Sequence, residues 1–521
     1  MNFLLFQLVA DCFRGANRPG FLNPLTISMG ESAYNKLAAK AKEMQLVADA
    51  QALLSWDQEV LMPSKGIAYR ADQMAWFSGW LHENFVAAEM GNWIGEAEAD
   101  TVDDLKKANL REWRHQYDRS TCLPKKLVEE FAQAQVHAKA AWADAREKSD
   151  FSVFAPSLSH LIELCREQAD LWGYEDVPYD ALIDRFERGA STQRLTETLG
   201  GLRKELIPIV EQATSSDQSN ENPWSSGAFP LEKQRTFNEE VARSIGFDFD
   251  AGRIDTAVHP FCSGMAPFDT RLTTRYDESD FRSSLFGVLH EAGHGLYEQG
   301  LNKEHRGLPV GHAASLGVHE SQSRLWENHV GRSRGFWEKW LPRAIEYFPQ
   351  LKGVSPDQMF DSVNRASQSF IRVEADEVTY DLHVLLRFEL EKAIFAGEIG
   401  IKDIPGEWNA RFEQYFGMPV ESDSEGCLQD IHWSMGIFGY FPTYSLGNIN
   451  AAHLVKSAVT QKPELTDEMD RADYSGLLEW MRTHIHERGS ILLPEALIEE
   501  AAGQAADSTA LVEHLRARYI R

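Results

Sequence analysis

Apolar side chains recur at the spacing of a helix over most of the chain from Glu31 onward. The repeat i, i+3, i+4 places them on one face of a helix, which predicts a mainly α-helical fold. Between the repeats, Gly, Pro, Ser and Asn cluster at turns such as 62–66 and 215–223. The predicted helices of the N-terminal half cover residues 31–54, 67–96, 102–119, 124–148, 152–173, 192–215 and 230–245.

The pattern changes between residues 252 and 276. The segments 253–261 and 269–276 alternate apolar and polar side chains and are rich in β-branched residues, which predicts a hairpin of two short strands joined by a Gly/Pro loop. A strand edge would suit an extended peptide, although a purely structural hairpin is the alternative. Further helices are predicted from residue 281, over 312–329, 334–348, 356–396 and 405–416, and from about residue 451.

The first 28 residues differ from the rest. Their apolar run, 3–10, has no basic segment before it, is followed at once by Asp11 and Arg14, and is too short to span a bilayer. We interpret residues 1–28 as an extension, with Met29 as an alternative start and a degenerate signal peptide as the second interpretation. No later run is apolar enough for a membrane helix.

Composition narrows the class of protein. A chain of 521 residues with a net charge of −27 and 43% hydrophobic residues predicts a soluble globular protein with an ample core. The acidic balance argues against nucleic acid and anionic membranes as partners. Five scattered cysteines without a C-x-x-C pair predict free thiols in a reducing compartment, the cytoplasm.

The motif His290-Glu291-Ala292-Gly293-His294 carries the clearest chemistry. Residues four apart share a helix face, so His290 and His294 can direct one ring nitrogen each to a single cation. Two neutral imidazoles suit Zn²⁺, which in catalytic sites takes three protein ligands and leaves a position for water. Glu291 lies beside the pair, placed to take a proton from that water. Two ordinary buried histidines are the alternative.

A third ligand has to come from another segment. The long metzincin pattern needs glycine and histidine where this chain has Tyr297 and Gly300. Glu298 lies about 12 Å along the helix axis from His290 at 1.5 Å per residue, which favours a solvated or outer carboxylate. We therefore predict Glu320, in the next helical pattern, with a surface glutamate as the alternative.

Two other segments carry candidate binding residues. Arg372 lies within a predicted helix and can form a bidentate ion pair with a carboxylate if it faces a cleft. Pairing with an acidic neighbour such as Glu374 or Asp376 is the alternative. Asp430 and His432 could orient a ligand, donate to a substrate carbonyl or satisfy each other.

With these residues in place, the chain resembles the carboxypeptidase Taq (thermostable carboxypeptidase 1) family of zinc metallocarboxypeptidases, from about Ala33 to the C-terminus. The resemblance rests on six stretches, which together are far more specific than the histidine motif that many peptidases share. The six stretches are 259–261 (HPF), 269–273 (DTRLT), 290–294 (HEAGH), 319–322 (HESQ), 371–376 (IRVEAD) and 426–433 (GCLQDIHW). Residues 55–57 (SWD) also resemble the family.

The resemblance implies a single large helical metallopeptidase domain over residues 29–521, with a deep groove, a small β-sheet next to the HExxH helix, and commonly a homodimer. It implies metal-dependent release of single residues from peptides with a free C-terminus, with broad specificity and poor activity on proline. It assigns His290, His294 and Glu320 to the metal and Glu291 to the general base. The residues that it places against the substrate or transition state are His259, Arg271, Arg372, His432 and Tyr444.

In this interpretation a metal-activated water attacks the scissile carbonyl while Glu291 accepts its proton. Arg372 is the predicted partner of the substrate's terminal carboxylate, with Arg271 as second choice. Zn²⁺ is the expected metal, and Co²⁺ or Mn²⁺ fits the same ligands. An internally cutting metallo-oligopeptidase and a metal-stabilised scaffold without turnover are the alternatives. Glu291 argues against the scaffold, because a structural site would not need it.

Overall fold

The computed structural model describes residues 32–215, 223–224 and 227–520, so the expected extension over residues 1–28 lies outside the described residues. The described chain is mainly helical with one small sheet, which confirms the predicted fold class. The helices before the sheet are α1 (Ala33–Val60), α2 (Ile67–Phe85), α3 (Ala88–Asp100), α4 (Asp104–Thr121), α5 (Lys125–Lys148), α6 (Phe151–Trp172), α7 (Pro178–Ile183), α8 (Thr192–Ser215) and α9 (Leu231–Ser244).

The sheet has three strands, β1 (Gly252–Thr256), β2 (Cys262–Ala266) and β3 (Asp269–Thr274), in the order β1-β3-β2. β1 is parallel to β3, and β2 is antiparallel to it. The predicted hairpin between 253–261 and 269–276 is therefore wrong. Its two strands pair in parallel, and the segment predicted as a loop supplies the antiparallel neighbour. A parallel pair needs a long connection, and here that connection contains β2.

The helices after the sheet surround the residues of the motif. They are α10 (Phe281–Gly300), α11 (Leu316–Arg324), α12 (Arg334–Tyr347), α13 (Pro356–Val363), α14 (Glu377–Ala396), α15 (Ile404–Phe416), α16 (Pro442–Gln461), α17 (Glu464–Asp470), α18 (Ser475–Met481), α19 (Pro494–Ala502) and α20 (Thr509–Tyr519). A wider π-helical turn, Leu325–Val330, continues α11.

Two predicted helices are each broken in the structure. The pattern 67–96 divides into α2 and α3 at Val86 and Ala87, where the chain turns so that Met90 and Ile94 are buried against the N-terminal helices. The pattern 356–396 divides into α13 and α14.

The second break follows from local capping. The side chain of Asn364 donates to the carbonyl oxygens of Phe360 and Arg332, which ends α13. Asp376 then accepts hydrogen bonds from the backbone of Val378 and Thr379 and so begins α14.

Two large hydrophobic cores and a smaller N-terminal core hold the helices together. α10 belongs to the second large core and packs between the sheet and α11, which fixes the histidine motif on a rigid element. The four described cysteines are free thiols. Among the described helices, none is long and apolar enough to cross a membrane.

Candidate metal centre

The two histidines of the motif lie on one face of α10. Asp280 caps the helix by accepting a hydrogen bond from the backbone N–H of Arg282 at 2.9 Å. The rings of His290 and His294 have their centroids 4.9 Å apart and stand nearly perpendicular to each other. The helical spacing therefore brings both rings to one point, as predicted.

Glu320 completes a three-residue cluster with these histidines. Its Oε2 lies 3.7 Å from Nε2 of His290 and 3.5 Å from Nε2 of His294. One ligand atom from each of the three residues lies within 4.8 Å of the others. Tetrahedral Zn²⁺ with bonds of about 2.0 Å would separate its donors by about 3.3 Å, so the donor set and its spacing fit this ion.

Close approach of α10 and α11 makes this cluster possible. Gly293 faces the backbone of α11, and a Cβ there would lie 2.5 Å from the carbonyl oxygen of Gln322 and 2.6 Å from Cα of Ser323. Gly447 on α16 similarly makes room for Glu320, whose Cγ would lie 2.4 Å from a Cβ at that position. Two helix contacts at glycine thus set where the carboxylate lies.

Gly293→Ala is expected to weaken both the fold and the site. The new methyl group meets backbone atoms, so α11 has to move, at a cost of about 1–3 kcal/mol. The free energy of unfolding from urea denaturation and the metal affinity both measure the effect. Gly79→Ala in α2 is the matched control, because nothing lies within 4 Å of a Cβ there. Equal losses in the two variants would contradict the close-approach argument.

The other ring nitrogen of each histidine has its own acceptor. Nδ1 of His290 lies 2.9 Å from Oε2 of Glu327, and Nδ1 of His294 lies 3.0 Å from the carbonyl oxygen of His319 and 2.5 Å from Nδ1 of the same residue. Protons on both Nδ1 atoms would satisfy these neighbours and leave the Nε2 lone pairs, on the side of Glu320, free for a cation. Carboxylates and carbonyls orient metal-binding histidines in this way.

The negative charge on Glu320 is maintained chiefly by Arg324. Although burial raises the pKa of this carboxyl group, Arg324 and the two histidines lower it well below its usual range. Nε of Arg324 donates to Oε1 at 2.8 Å, and the Ser323 hydroxyl donates to Oε2 at 3.1 Å. Arg324 therefore occupies one oxygen and leaves the other facing the imidazoles.

Glu291 lies beside this cluster in a dry environment, with 6% of its surface exposed. Burial raises its pKa to about 7, and the carboxylates of Glu320 and Glu327 add to the rise while His290 opposes it. A carboxylate with a pKa near neutrality can both accept and return a proton at working pH.

Glu298, predicted as a solvated or outer carboxylate, pairs with a neighbour of the site. Its Oε1 lies 2.8 Å from Nε2 of His319, whose ring stacks on His294 at 4.5 Å. Glu298 thus contacts His319, and His319 in turn contacts His294 of the three-residue cluster.

Three of the five predicted substrate contacts lie together. The hydroxyl of Tyr444 lies 3.4 Å from Nε2 of His432, and the guanidinium of Arg372 lies 5.1 Å from the centre of the Tyr444 ring. Tyr440 packs against both His432 and Tyr444. An arginine, an imidazole and two phenols therefore form one largely buried group.

Arg372 is paired differently from the sequence-based alternatives. It lies on a 3₁₀ turn rather than inside a helix, and its Nη2 donates to Oδ1 of Asp430 at 2.8 Å. The alternative of pairing with Glu374 or Asp376 is wrong, because the turn directs the side chain inward to Asp430. Asp430 is also not satisfied by His432, whose Nδ1 is 3.9 Å away.

The other two predicted contacts lie elsewhere. Arg271 is on β3, where its Nε donates to Asp269 at 2.8 Å and its guanidinium lies 4.5 Å from the centre of the Trp56 ring. His259 is exposed in the connection between β1 and β2. Both side chains lie in or beside the sheet that packs against α10.

Sequence reasoning missed four residues that shape the site. Glu327 orients His290, Arg324 pairs with Glu320, and Tyr440 packs within the buried group. Arg387 is fully buried and donates through Nε to Oδ2 of Asp430 at 2.5 Å. Of these, Glu327 had a signal, because it follows Glu320 by two helical turns.

Comparison with known proteins covers nearly the whole chain. The sequence profile described as carboxypeptidase Taq (M32) metallopeptidase matches residues 36–519. Thermostable carboxypeptidase 1 of Thermus thermophilus is 40% identical over 94% of this chain and 98% of its own length. Carboxypeptidase 1 of Bacillus subtilis is 36% identical over 92% and 96%.

Solved structures agree with these sequence relatives. The M32 carboxypeptidase of Deinococcus radiodurans R1 superposes with a TM-score of 0.90 at 35% identity, covering 94% of this chain and 98% of that one. Metallocarboxypeptidase 1 of Trypanosoma cruzi gives 0.90 at 36% identity, covering 94% and 99%. Pyrococcus furiosus carboxypeptidase in a form described as Apo-Mg gives 0.90 at 33%, covering 96% and 100%.

Fold and relatives together define a metallopeptidase that acts on peptide C-termini. The chain belongs to the carboxypeptidase Taq (M32) family of metallopeptidases. It is a metallocarboxypeptidase, a hydrolase of peptide bonds, and family membership implies a divalent metal.

Proposed function

We propose that His290, His294 and Glu320 bind one Zn²⁺ and that Glu291 is the general base of a broad-specificity carboxypeptidase that is poor on proline. The observation that carries the proposal is the spacing of the three donor atoms, 3.5 and 3.7 Å from Oε2 to the two Nε2 atoms. Co²⁺ and Mn²⁺ are possible substitutes. Specificity and weakness towards proline rest on the family resemblance.

Each residue has a separate task in the reaction. Bound Zn²⁺ would supply an acidified water and polarise the scissile carbonyl. Glu291 takes a proton from the attacking water and returns it to the leaving amine, for which a pKa near 7 is suited. The Tyr444 hydroxyl, beside His432, donates to the developing oxyanion. Arg271 and His259 contact the peptide from the sheet side.

Charge balance supports Arg372 as the partner of the substrate's terminal carboxylate. Arg372 and Arg387 share a single carboxylate, Asp430, so two buried cations face one anion. Burial lowers the pKa of His432 to about 3, and this ring therefore stays neutral. The excess positive charge favours a second anion, and a free peptide C-terminus supplies one.

Paired peptides with a free or an amidated C-terminus test this assignment. The protein should release single residues from the free acid and act on the amide at least about tenfold more slowly, since a desolvated ion pair contributes more than 1.4 kcal/mol. Arg372→Ala should remove most of that preference in kcat/KM, measured by mass spectrometry of the products. Asp430 keeps Arg387 as its partner in this variant, so no buried anion is left alone.

Arg271→Ala is the matched control and should retain the preference for the free acid. If Arg271→Ala loses it while Arg372→Ala keeps it, the two arginines exchange roles. If the wild-type protein cuts amidated peptides internally, the oligopeptidase alternative replaces the exopeptidase.

Three further expectations complete the proposal. Residues 29–521 form the enzyme domain, the protein is a homodimer, and it works in the cytoplasm. The family resemblance supports the first two, and the four free thiols suit a reducing compartment. Light scattering during gel filtration measures the mass of the assembly.

A further inference from the structure

The segment that follows α7 contacts the N-terminus of the helix that carries Glu320. Glu187 lies in this segment with 5% of its surface exposed. Its Oε1 accepts a hydrogen bond from the Ser315 hydroxyl at 2.8 Å, and its Oε2 accepts one from the backbone N–H of Gly317 at 2.9 Å. Both oxygens of this carboxylate are therefore bonded to the first turn of α11.

The fit between Glu187 and α11 is close. A Cβ on Gly317 would lie 2.6 Å from Oε2 of Glu187, so glycine is required for the contact. The backbone N–H of Leu316 donates to the carbonyl oxygen of Phe186 at 3.3 Å. Three consecutive residues at the start of α11 thus each donate one hydrogen bond to this segment. Ser315 and Gly317 donate to Glu187, and Leu316 donates to Phe186.

This contact carries a free-energy cost, because the carboxylate is buried without a cationic partner in the part of the chain that the structure describes. Among the described residues, Glu187 has no arginine, lysine or histidine within ion-pair distance. Burial raises its pKa to about 7. A buried carboxylate without a cation is unfavourable, so what it holds in place has to offset that cost.

The first turn of α11 is directly connected to the metal cluster. Glu320 follows Gly317 by three residues, which is about 4.5 Å along the helix axis. The same segment reaches the substrate side, because the Phe186 ring packs edge-on against Tyr440 with centroids 5.2 Å apart. A shift of α11 against this segment would therefore move the Glu320 carboxylate relative to the two imidazoles on α10.

We propose that Glu187 is a positioning residue for the metal, which fixes the N-terminus of α11 so that Glu320 meets His290 and His294. The inference rests on the proposed function, in which Glu320 is a metal ligand. Glu187 touches neither substrate nor metal and acts through the helix. Removing the Glu187 carboxylate should therefore weaken the affinity for the metal ion more than it lowers kcat of the metal-bound enzyme.

Competition between the protein and a chelating dye for Zn²⁺ tests the proposal. Glu187→Gln should weaken the Zn²⁺ Kd by about 10–100-fold, as for other residues that orient ligands from outside the site. At saturating Zn²⁺ its kcat should stay within about threefold of the wild type. Gly317→Ala, which places a Cβ 2.6 Å from Oε2 of Glu187 and so disturbs the same contact from the side of α11, should give a loss in the same direction.

Glu391→Gln is the matched control. Glu391 is also fully buried, and it accepts hydrogen bonds from Tyr179, Trp433 and the backbone of Gly439, none of them in α11. Its substitution should leave the Zn²⁺ Kd unchanged. Equal Zn²⁺ affinities of Glu187→Gln, Gly317→Ala and the wild type would overturn the inference, as would equal losses in the Glu391 variant.

The variant Glu320→Gln distinguishes a failure of this inference from a failure of the proposal that Glu320 is a metal ligand. If Glu320→Gln loses Zn²⁺ and Glu187→Gln keeps it, the positioning role of Glu187 is refuted and the proposed ligand set stands. If Glu320→Gln keeps Zn²⁺ at wild-type affinity, the proposed ligand set fails and the role of Glu187 fails with it.

Discussion

Glu291→Gln is expected to bind Zn²⁺ as the wild type does and to lose at least about a hundredfold in kcat. The substitution keeps the size of the side chain but removes its ability to accept a proton, and a positioned base typically contributes 10²–10⁴-fold. The three donor atoms belong to other residues, so metal content should not change. Metal analysis and peptide hydrolysis on the same preparation measure both quantities.

Glu304→Gln provides the same chemical change on the exposed surface near the end of α10 and should retain full activity. Full activity of Glu291→Gln with its metal bound would exclude this residue as the base. Loss of metal together with activity would instead place Glu291 among the residues that hold the ion.

Glu320→Gln is expected to have the largest effect on metal binding, more than about a hundredfold in Kd. The neutral amide loses the negative charge that now balances Arg324 and faces the two imidazoles. Arg324 keeps a partner in Glu327 at 3.3 Å, so the variant should still fold. Metal content after dialysis and competition with a chelator measure the loss.

Glu327→Gln should have a smaller effect, about 10–100-fold, because Glu327 orients His290 without occupying the metal position. The expected order of affinity losses is therefore Glu320→Gln, then Glu327→Gln, with Glu304→Gln unchanged. A larger loss in the Glu327 variant would mean that the ion lies on the opposite side of the His290 ring.

The proximity of His290, Glu291 and His294 could be predicted from sequence because their geometry is local. His290, Glu291 and His294 lie within two turns of one helix, whose spacing fixes their relative directions. Glu320 was predicted correctly as a neighbour because the next helical pattern follows after a short connection. α5 shows the same point for the fold, since the prediction 124–148 differs by one residue from the observed helix.

Predictions failed where partners are distant in sequence. Asp430 pairs with Arg372 and Arg387, which lie 58 and 43 residues away, and no local pattern indicates either contact. The sheet was mispredicted for a related reason. Alternation marks a strand but not its neighbour, and the weakly patterned segment 262–266 became the strand beside β3.

Breaks within long helical patterns could have been found from capping residues. Asp376 accepts hydrogen bonds from the backbone of Val378 and Thr379, as an N-cap does. Apolar periodicity on both sides of Asp376 nevertheless predicts one continuous helix over 356–396. Arg372 lies on the inward-directed turn between α13 and α14 and not on the helix face that the periodicity predicts.

The π-helical turn Leu325–Val330 affects how α11 and its continuation contact His290. Such a turn corresponds to a helix with one additional residue, and it often persists where function depends on it. Here the change of twist separates Glu320, which reaches Nε2 of His290, from Glu327, which reaches Nδ1 of the same ring. Deleting one residue of this turn ahead of Glu327 would rotate Glu327 by about 100° around the helix axis relative to Glu320, and one helix could then no longer contact both edges of the His290 ring.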